Sequence, residues 1–104
     1  MQYHDWLIVE LPEKVLKGST GGDFLQTIEK LSDTNTRIAL DMHSTDFVDS
    51  SIVSMLLSLE KKLSAKGGGL IILSPRQQAM DLFSVTSVDR IIRIVSSKEE
   101  LRRE

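Results

Sequence analysis

The chain has 104 residues, with 13 Lys plus Arg against 15 Asp plus Glu and a net charge of -2 at pH 7, and it contains no cysteine. That balance gives no electrostatic case for a nucleic-acid or anionic-membrane partner, and the missing thiols exclude disulfides, thiolate catalysis and cysteine metal sites. A hydrophobic share of 40% and a charged share of 27% fit one soluble globular domain over residues 1–104.

The N-terminus, Met1-Gln2-Tyr3-His4-Asp5, has no basic stretch followed by a long apolar run. No segment approaches the ~20 apolar residues that span a bilayer, so a cytoplasmic location is expected. Trp6 to Leu11 reads as a strand stopped by Pro12. Val15-Leu16 is a candidate short second strand, with Pro12-Glu13-Lys14 as the turn. Gly18 to Gly22 reads as a loop. A helix is predicted from Asp23 to Leu31, capped by Asp23 with Gln26 three residues on, and with Phe24, Leu25, Ile28 and Leu31 as its apolar stripe.

Ile38 to Met42 is a strand whose Ile38, Leu40 and Met42 share one face. Ala39 and Asp41 on the other face predict light cover there. After a polar loop, Asp49-Ser50-Ser51 opens a helix that runs to Ala65 and stops at Lys66-Gly67. Ile52, Met55, Leu56, Leu59 and Leu63 fall within one ~100° arc of that helix. Ser50, Ser54, Leu57 and Lys61 fall opposite. Leu70 to Leu73 reads as a buried central strand. Ser74 as cap, Pro75 at the first position and Gln77 as the capping-box partner predict a helix whose apolar side is Ala79, Met80, Leu82 and Phe83. Ile91 to Val95 is a last strand, and Ser97 with Glu100 marks a C-terminal helix.

The residues able to carry function concentrate at Asp49-Ser50-Ser51. Asp and Ser are preferred helix caps, and capping alone accounts for such a triplet. A regulatory role is favoured by three features. Ser50 lies opposite the core stripe, where solvent reaches it. Val53 and Leu57 lie on or beside that face and would form an aliphatic docking patch if exposed; packing under the next helix is the other reading. A helix start also tolerates a phosphate, because free N–H groups and the dipole favour negative charge there. Asp46 and Asp49 nearby would make a phosphorylated surface strongly acidic.

Ile38-Ala39-Leu40-Asp41-Met42 followed by Asp46-Phe47-Val48-Asp49-Ser50-Ser51 resembles the core motif of STAS domains, the anti-sigma-factor antagonists. The likeness continues through Gly67-Gly68, Leu70 to Leu73, Ser74-Pro75, Leu82-Phe83 and Ile91-Ile92, roughly the last two-thirds of the chain. It implies an α/β fold of STAS type: a single-layer mixed sheet of four to five strands with helices mainly on one face, in the order β(β)αβαβαβα. It also implies partner switching. The Ser after the Asp, here Ser50, is phosphorylated by a serine kinase that is also the anti-sigma factor. The unmodified form binds that kinase and frees the sigma factor, and a PP2C-type phosphatase resets the system. Asp49 supports the phosphoacceptor and Ser51 matches the small residue after it. The implied partner-contacting residues are Asp46, Phe47, Asp49, Ser50, Ser51, Val53, Ser54 and Leu57.

Ile52-Val53-Ser54 stands where the family has Gly-Leu-Gly, which stiffens the helix start and adds bulk where a kinase would approach. The loop Lys17 to Gly22 lacks the family's Gly-x-Leu/Ile-Asp turn. The replaced glycines favour an alternative, a constitutive STAS scaffold or a transporter or stress-complex subunit never regulated by phosphate. No enzyme activity, cofactor or metal is expected. His4 and His43 have no ligand-spaced companions, Gly67-Gly68-Gly69 reads as a flexible turn, and Asp41, His43 and Ser44 sit too close together in the chain to converge as a triad. Asp41 is expected to end its strand and hold the following loop. Met42, Met55 and Met80 are expected core fillers, and Glu99-Glu100 with Arg102-Arg103 a solvated helix face.

Overall fold

The computed structural model describes residues 2–16 and 20–103. Its strands are β1 (Gln2–Tyr3), β2 (Trp6–Glu10), β3 (Lys14–Val15), β4 (Arg37–Asp41), β5 (Phe47–Val48), β6 (Gly69–Leu73) and β7 (Arg93–Val95). The α-helices are α1 (Thr20–Leu31), α2 (Val53–Ala65) and α3 (Gln77–Val85). Short 3₁₀ helices span Ser50–Ile52, Val88–Arg90 and Lys98–Arg103.

The main sheet has five strands in the order β1-β2-β4-β6-β7. β2, β4, β6 and β7 pair in parallel, and β1 adds antiparallel to β2, so the sheet is mixed. Each parallel strand lies beside the one before it. Right-handed crossovers taken repeatedly in one direction put every connecting helix on the same face. The burial pattern agrees: Ile28 of α1, Leu56, Leu59 and Leu63 of α2, and Ala79 and Phe83 of α3 share one core with Ile38, Leu40, Leu70 and Ile72. Phe83 and Ile72 are fully buried there.

The expected light cover of the opposite face is not what forms. Ala39 is 0% exposed. It sits in a second cluster with Trp6, Ile8, Ile71, Leu73, Val95 and Leu101. The alternation of the strands fills this face too, and the C-terminal 3₁₀ helix supplies Leu101 to close it.

Several boundaries differ from expectation for local reasons. β3 does not fold back on β2 as a hairpin; it pairs in parallel with β5, a strand that lies in the expected loop, to make a separate two-stranded sheet. The fifth strand of the main sheet is instead β1, where no strand is predicted. α1 starts at Thr20, so Asp23 lies in its first turn and does not cap it. Residues 17–19 of the loop singled out in the sequence lie outside the described residues, as do the side chains of Phe24, Leu25, Arg102 and Arg103. Leu31, at the end of α1, is 38% exposed and outside the core stripe.

Ser74 is not a helix cap. It holds φ +54°, donates its N–H to Val95 O (2.8 Å) and its hydroxyl to Ser96 O (2.8 Å). Those bonds tie the end of β6 to the end of β7 and leave Arg76 as the residue that precedes α3. Gln77 bonds Asp81 within the helix instead of reaching back. Ile91 and Ile92 follow a 3₁₀ turn, so β7 starts only at Arg93. Glu100 does reach back, accepting from Ser96 N (2.7 Å) and Ser97 N (3.2 Å), and the C-terminal helix is 3₁₀ in form.

Candidate functional site

The site is built at the C-terminal end of β4 and carried by the loop, β5 and the helix start that follow. Asp41 ends β4 and its Oδ1 accepts the N–H of His43 (3.1 Å), as its position at the strand end predicts. The next residues are pinned from beneath. The hydroxyl of Thr45, a side chain 1% exposed, donates to Pro12 O (2.8 Å), and Asp46 N donates to Glu13 O (2.8 Å). The loop after β2 therefore fixes the loop after β4, and the small β3–β5 pair extends that seam.

α3 fixes the site from the other side through two residues that sequence spacing does not reveal. Gln78 brackets β5, donating to Val48 O and accepting from Val48 N, both at 2.9 Å. Arg76 donates through Nε to His43 O (2.8 Å) and through a terminal nitrogen to Asp46 Oδ1 (2.5 Å). A cation at a helix start faces the positive end of the dipole. The Asp46 carboxylate offsets that, and an arginine in so awkward a position is the one signal that a partner waits across space.

Asp49 adopts extended backbone and caps the first turn, accepting Ser51 N (3.0 Å) and also the Ser51 hydroxyl. The chain then enters 3₁₀ helix before α2. Ser51 is thereby tied to the cap. Ser50 is exposed, and its hydroxyl makes no hydrogen bond among the described residues. Asp46, Phe47, Ser51 and Ser54 are also exposed, Phe47 to 49%. Asp49 is half-buried.

Val53 and Leu57 do not form an exposed aliphatic patch: both are half-buried and packed on the main core. The exposed apolar group beside Ser50 in the chain is Phe47. Nor does Ile52 add bulk at the surface. It is 1% exposed and anchors the helix start in the core. Of the residues standing in place of Gly-Leu-Gly, only Ser54 is exposed, and its side chain is small. The negative character of the surface is also lower than the sequence suggests, because Arg76 pairs with Asp46 and Asp49 is engaged as a cap.

His43 has companions after all. Its Nδ1 lies 2.8 Å from Asp41 Oδ1, and Glu10 lies close to both, because β2 and β4 pair with Glu10 opposite Asp41. The separation in sequence hides this; only the sheet register brings Glu10 in. The Asp41 hydrogen bond, then the charges of Asp41 and Glu10, raise the His43 pKa above its ordinary 6.5. A raised folded pKa stabilises below the unfolded value and is lost as pH rises through the folded one. The imidazole should therefore titrate above 6.5 by NMR, and Asp41→Asn should bring its midpoint down; an unchanged midpoint in that variant would contradict the pairing.

The family model described as STAS domain matches residues 2–101. A Thermotoga maritima protein provisionally named an anti-sigma factor antagonist is 26% identical over 95% of this chain and 93% of its own. The crystal structure of a Thermotoga maritima protein with the same provisional name superposes with a TM-score of 0.79 at 21% identity, over 97% of this chain and 87% of that one. The anti-sigma factor antagonist SpoIIAA in its unphosphorylated form superposes with a TM-score of 0.76 at 20% identity, over 99% and 90%. Its phosphorylated form, from Bacillus, gives 0.68 at 18% identity, over 99% and 94%.

Proposed function

The chain belongs to the STAS domain family, and from that premise we propose that it is an anti-sigma factor antagonist that works by partner switching. Unmodified Ser50 lets the surface around it dock on a serine kinase of the anti-sigma type, which releases the sigma factor. Phosphorylation of Ser50 by that kinase ends the complex, and a PP2C-type phosphatase restores it. The contact surface comprises Asp46, Phe47, Asp49, Ser50, Ser51 and Ser54, with Val53 and Leu57 as the half-buried support beneath. The domain itself binds and is modified; it supplies no chemistry of its own. No helix among the described residues is long and apolar enough to cross a membrane, and the proposed partners place the protein in the cytoplasm.

The observation that carries this reading is the contrast between two adjacent hydroxyls. Ser51 is held by the Asp49 cap, whereas Ser50 is exposed with its oxygen unengaged among the described residues. A kinase must withdraw the hydroxyl from its bonds before transfer, so the unengaged one is the acceptor. A phosphate there meets the N-terminal end of a helix, where N–H groups and the dipole accommodate negative charge.

Incubated with ATP and its cognate kinase, the chain should gain one phosphate, mapped to Ser50. Ser50→Ala should take none, and Ser51→Ala should still be modified at Ser50. A phosphate on Ser51 or Ser54 instead would overturn the assignment to Ser50, and none at all would leave a constitutive binding domain.

A further inference from the structure

Glu10 and Asp41 occupy the same register position on adjacent parallel strands, so their side chains leave the sheet on one face. His43 turns back from the loop after β4 to place Nδ1 2.8 Å from Asp41 Oδ1. One donor atom from each of the three side chains lies within 4.8 Å of the other two. Donors bound to a divalent ion at about 2.0–2.2 Å sit about 3 Å apart when adjacent in an octahedron and about 3.4 Å apart around a tetrahedral Zn²⁺. The Asp41–His43 pair already has the adjacent spacing. Glu10 is exposed, and its carboxylate is the third donor of the group.

One imidazole nitrogen with two carboxylate oxygens suits ions of intermediate hardness, such as Zn²⁺ or Mn²⁺, better than a thiophilic or an all-oxygen ion. All three residues lie at or just beyond the carboxyl ends of the adjacent strands β2 and β4. We infer that Glu10, Asp41 and His43 form a site for one first-row divalent cation, with water in its remaining positions.

The ion would replace the Asp41–His43 hydrogen bond with coordination to both groups and join β2 directly to the loop after β4. That loop also carries Asp46, whose carboxylate is held with His43 O by Arg76. Cation binding therefore stiffens the segment that leads into Phe47. The inference does not depend on the role assigned to Ser50.

The test uses the full chain, titrated with ZnCl₂ in a calorimeter and with MnCl₂ in an NMR spectrometer. The expected result is one ion per chain, Mn²⁺ broadening centred on the amides of residues 10, 41 and 43, and affinity about tenfold or more weaker in His43→Ala and in Glu10→Gln. His4→Ala serves as the control and should bind as the unaltered chain does. All three positions varied are exposed, and melting curves would verify their folding. Absence of saturable binding below millimolar ion, equal affinity in all variants, or broadening centred on His4 would each overturn the inference.

Discussion

Ser50→Asp is expected to lose the partner kinase while remaining folded. A fixed carboxylate at this position brings about one negative charge in place of the roughly 1.5 to 2 that a phosphate carries. On the proposed reading it would meet a kinase surface shaped for a neutral hydroxyl. Burying an unmatched charge at an interface costs about 2–5 kcal/mol, which is a loss of about thirtyfold or more in affinity. The fold should not register the change, because the residue is exposed and begins a helix, where an acid is favoured. Ser50→Ala should bind as well as the unmodified chain, since no bond of the hydroxyl among the described residues is lost. Quantitative capture of the purified kinase by the three forms measures this. Equal capture by Ser50→Asp would instead support a constitutive scaffold.

The second large effect is on stability, at Gly68. The run Gly67-Gly68-Gly69 looks like a slack turn, yet each position differs. Gly67 holds φ +82° and ends α2, donating to Ser64 O (3.0 Å) while Gly68 N donates to Leu63 O (3.0 Å). This paired arrangement satisfies the last carbonyls of a helix and requires a left-handed residue. A Cβ on Gly68 would lie 1.7 Å from Thr36 O and 2.4 Å from Thr36 C. That same carbonyl accepts Gly69 N (2.9 Å) at the point where β4 and β6 begin to pair. Backbone, not a flexible side chain, must move to make room.

Gly68→Ala should therefore cost about 3 kcal/mol, a fall of more than about 10 °C in a thermal melt of a domain this size. Gly67→Ala should cost about 1–2 kcal/mol through its left-handed backbone. At Gly69 a built Cβ would meet, among the described residues beyond its chain neighbours, Glu60 Oε1 at 3.9 Å, so Ala there should change stability by less than about 1 kcal/mol. A melt of Gly68→Ala that matched the unaltered chain would contradict the close packing of these two segments.

The sequence made the large periodic elements legible because their signals are local. The stripe of α2, the apolar run of β6 and the strand around Ile38–Leu40 all formed where periodicity and burial place them. What it could not disclose were pairings made across space. β5 exists because Lys14–Val15 offers it a partner, and neither two-residue strand has a pattern of its own. The cap pattern at Ser74 failed because Val95 and Ser96 claim that residue first. At the site, Asp49, Ser50 and Ser51 were readable as a helix start. Arg76, Gln78 and Glu10 were not, since each reaches the site from another element. Val53 and Leu57 lie off the main stripe of the wheel but still pack on the core, because neighbouring elements cover more of α2 than one arc.

The most direct measurement follows one sample through a single phosphorylation of Ser50, recording its thermal melt and its capture of the kinase before and after. The melting midpoints should agree within a few degrees, with capture strong before modification and lost after it. A melt that collapses on modification, or capture that continues unchanged, would contradict the proposed switch.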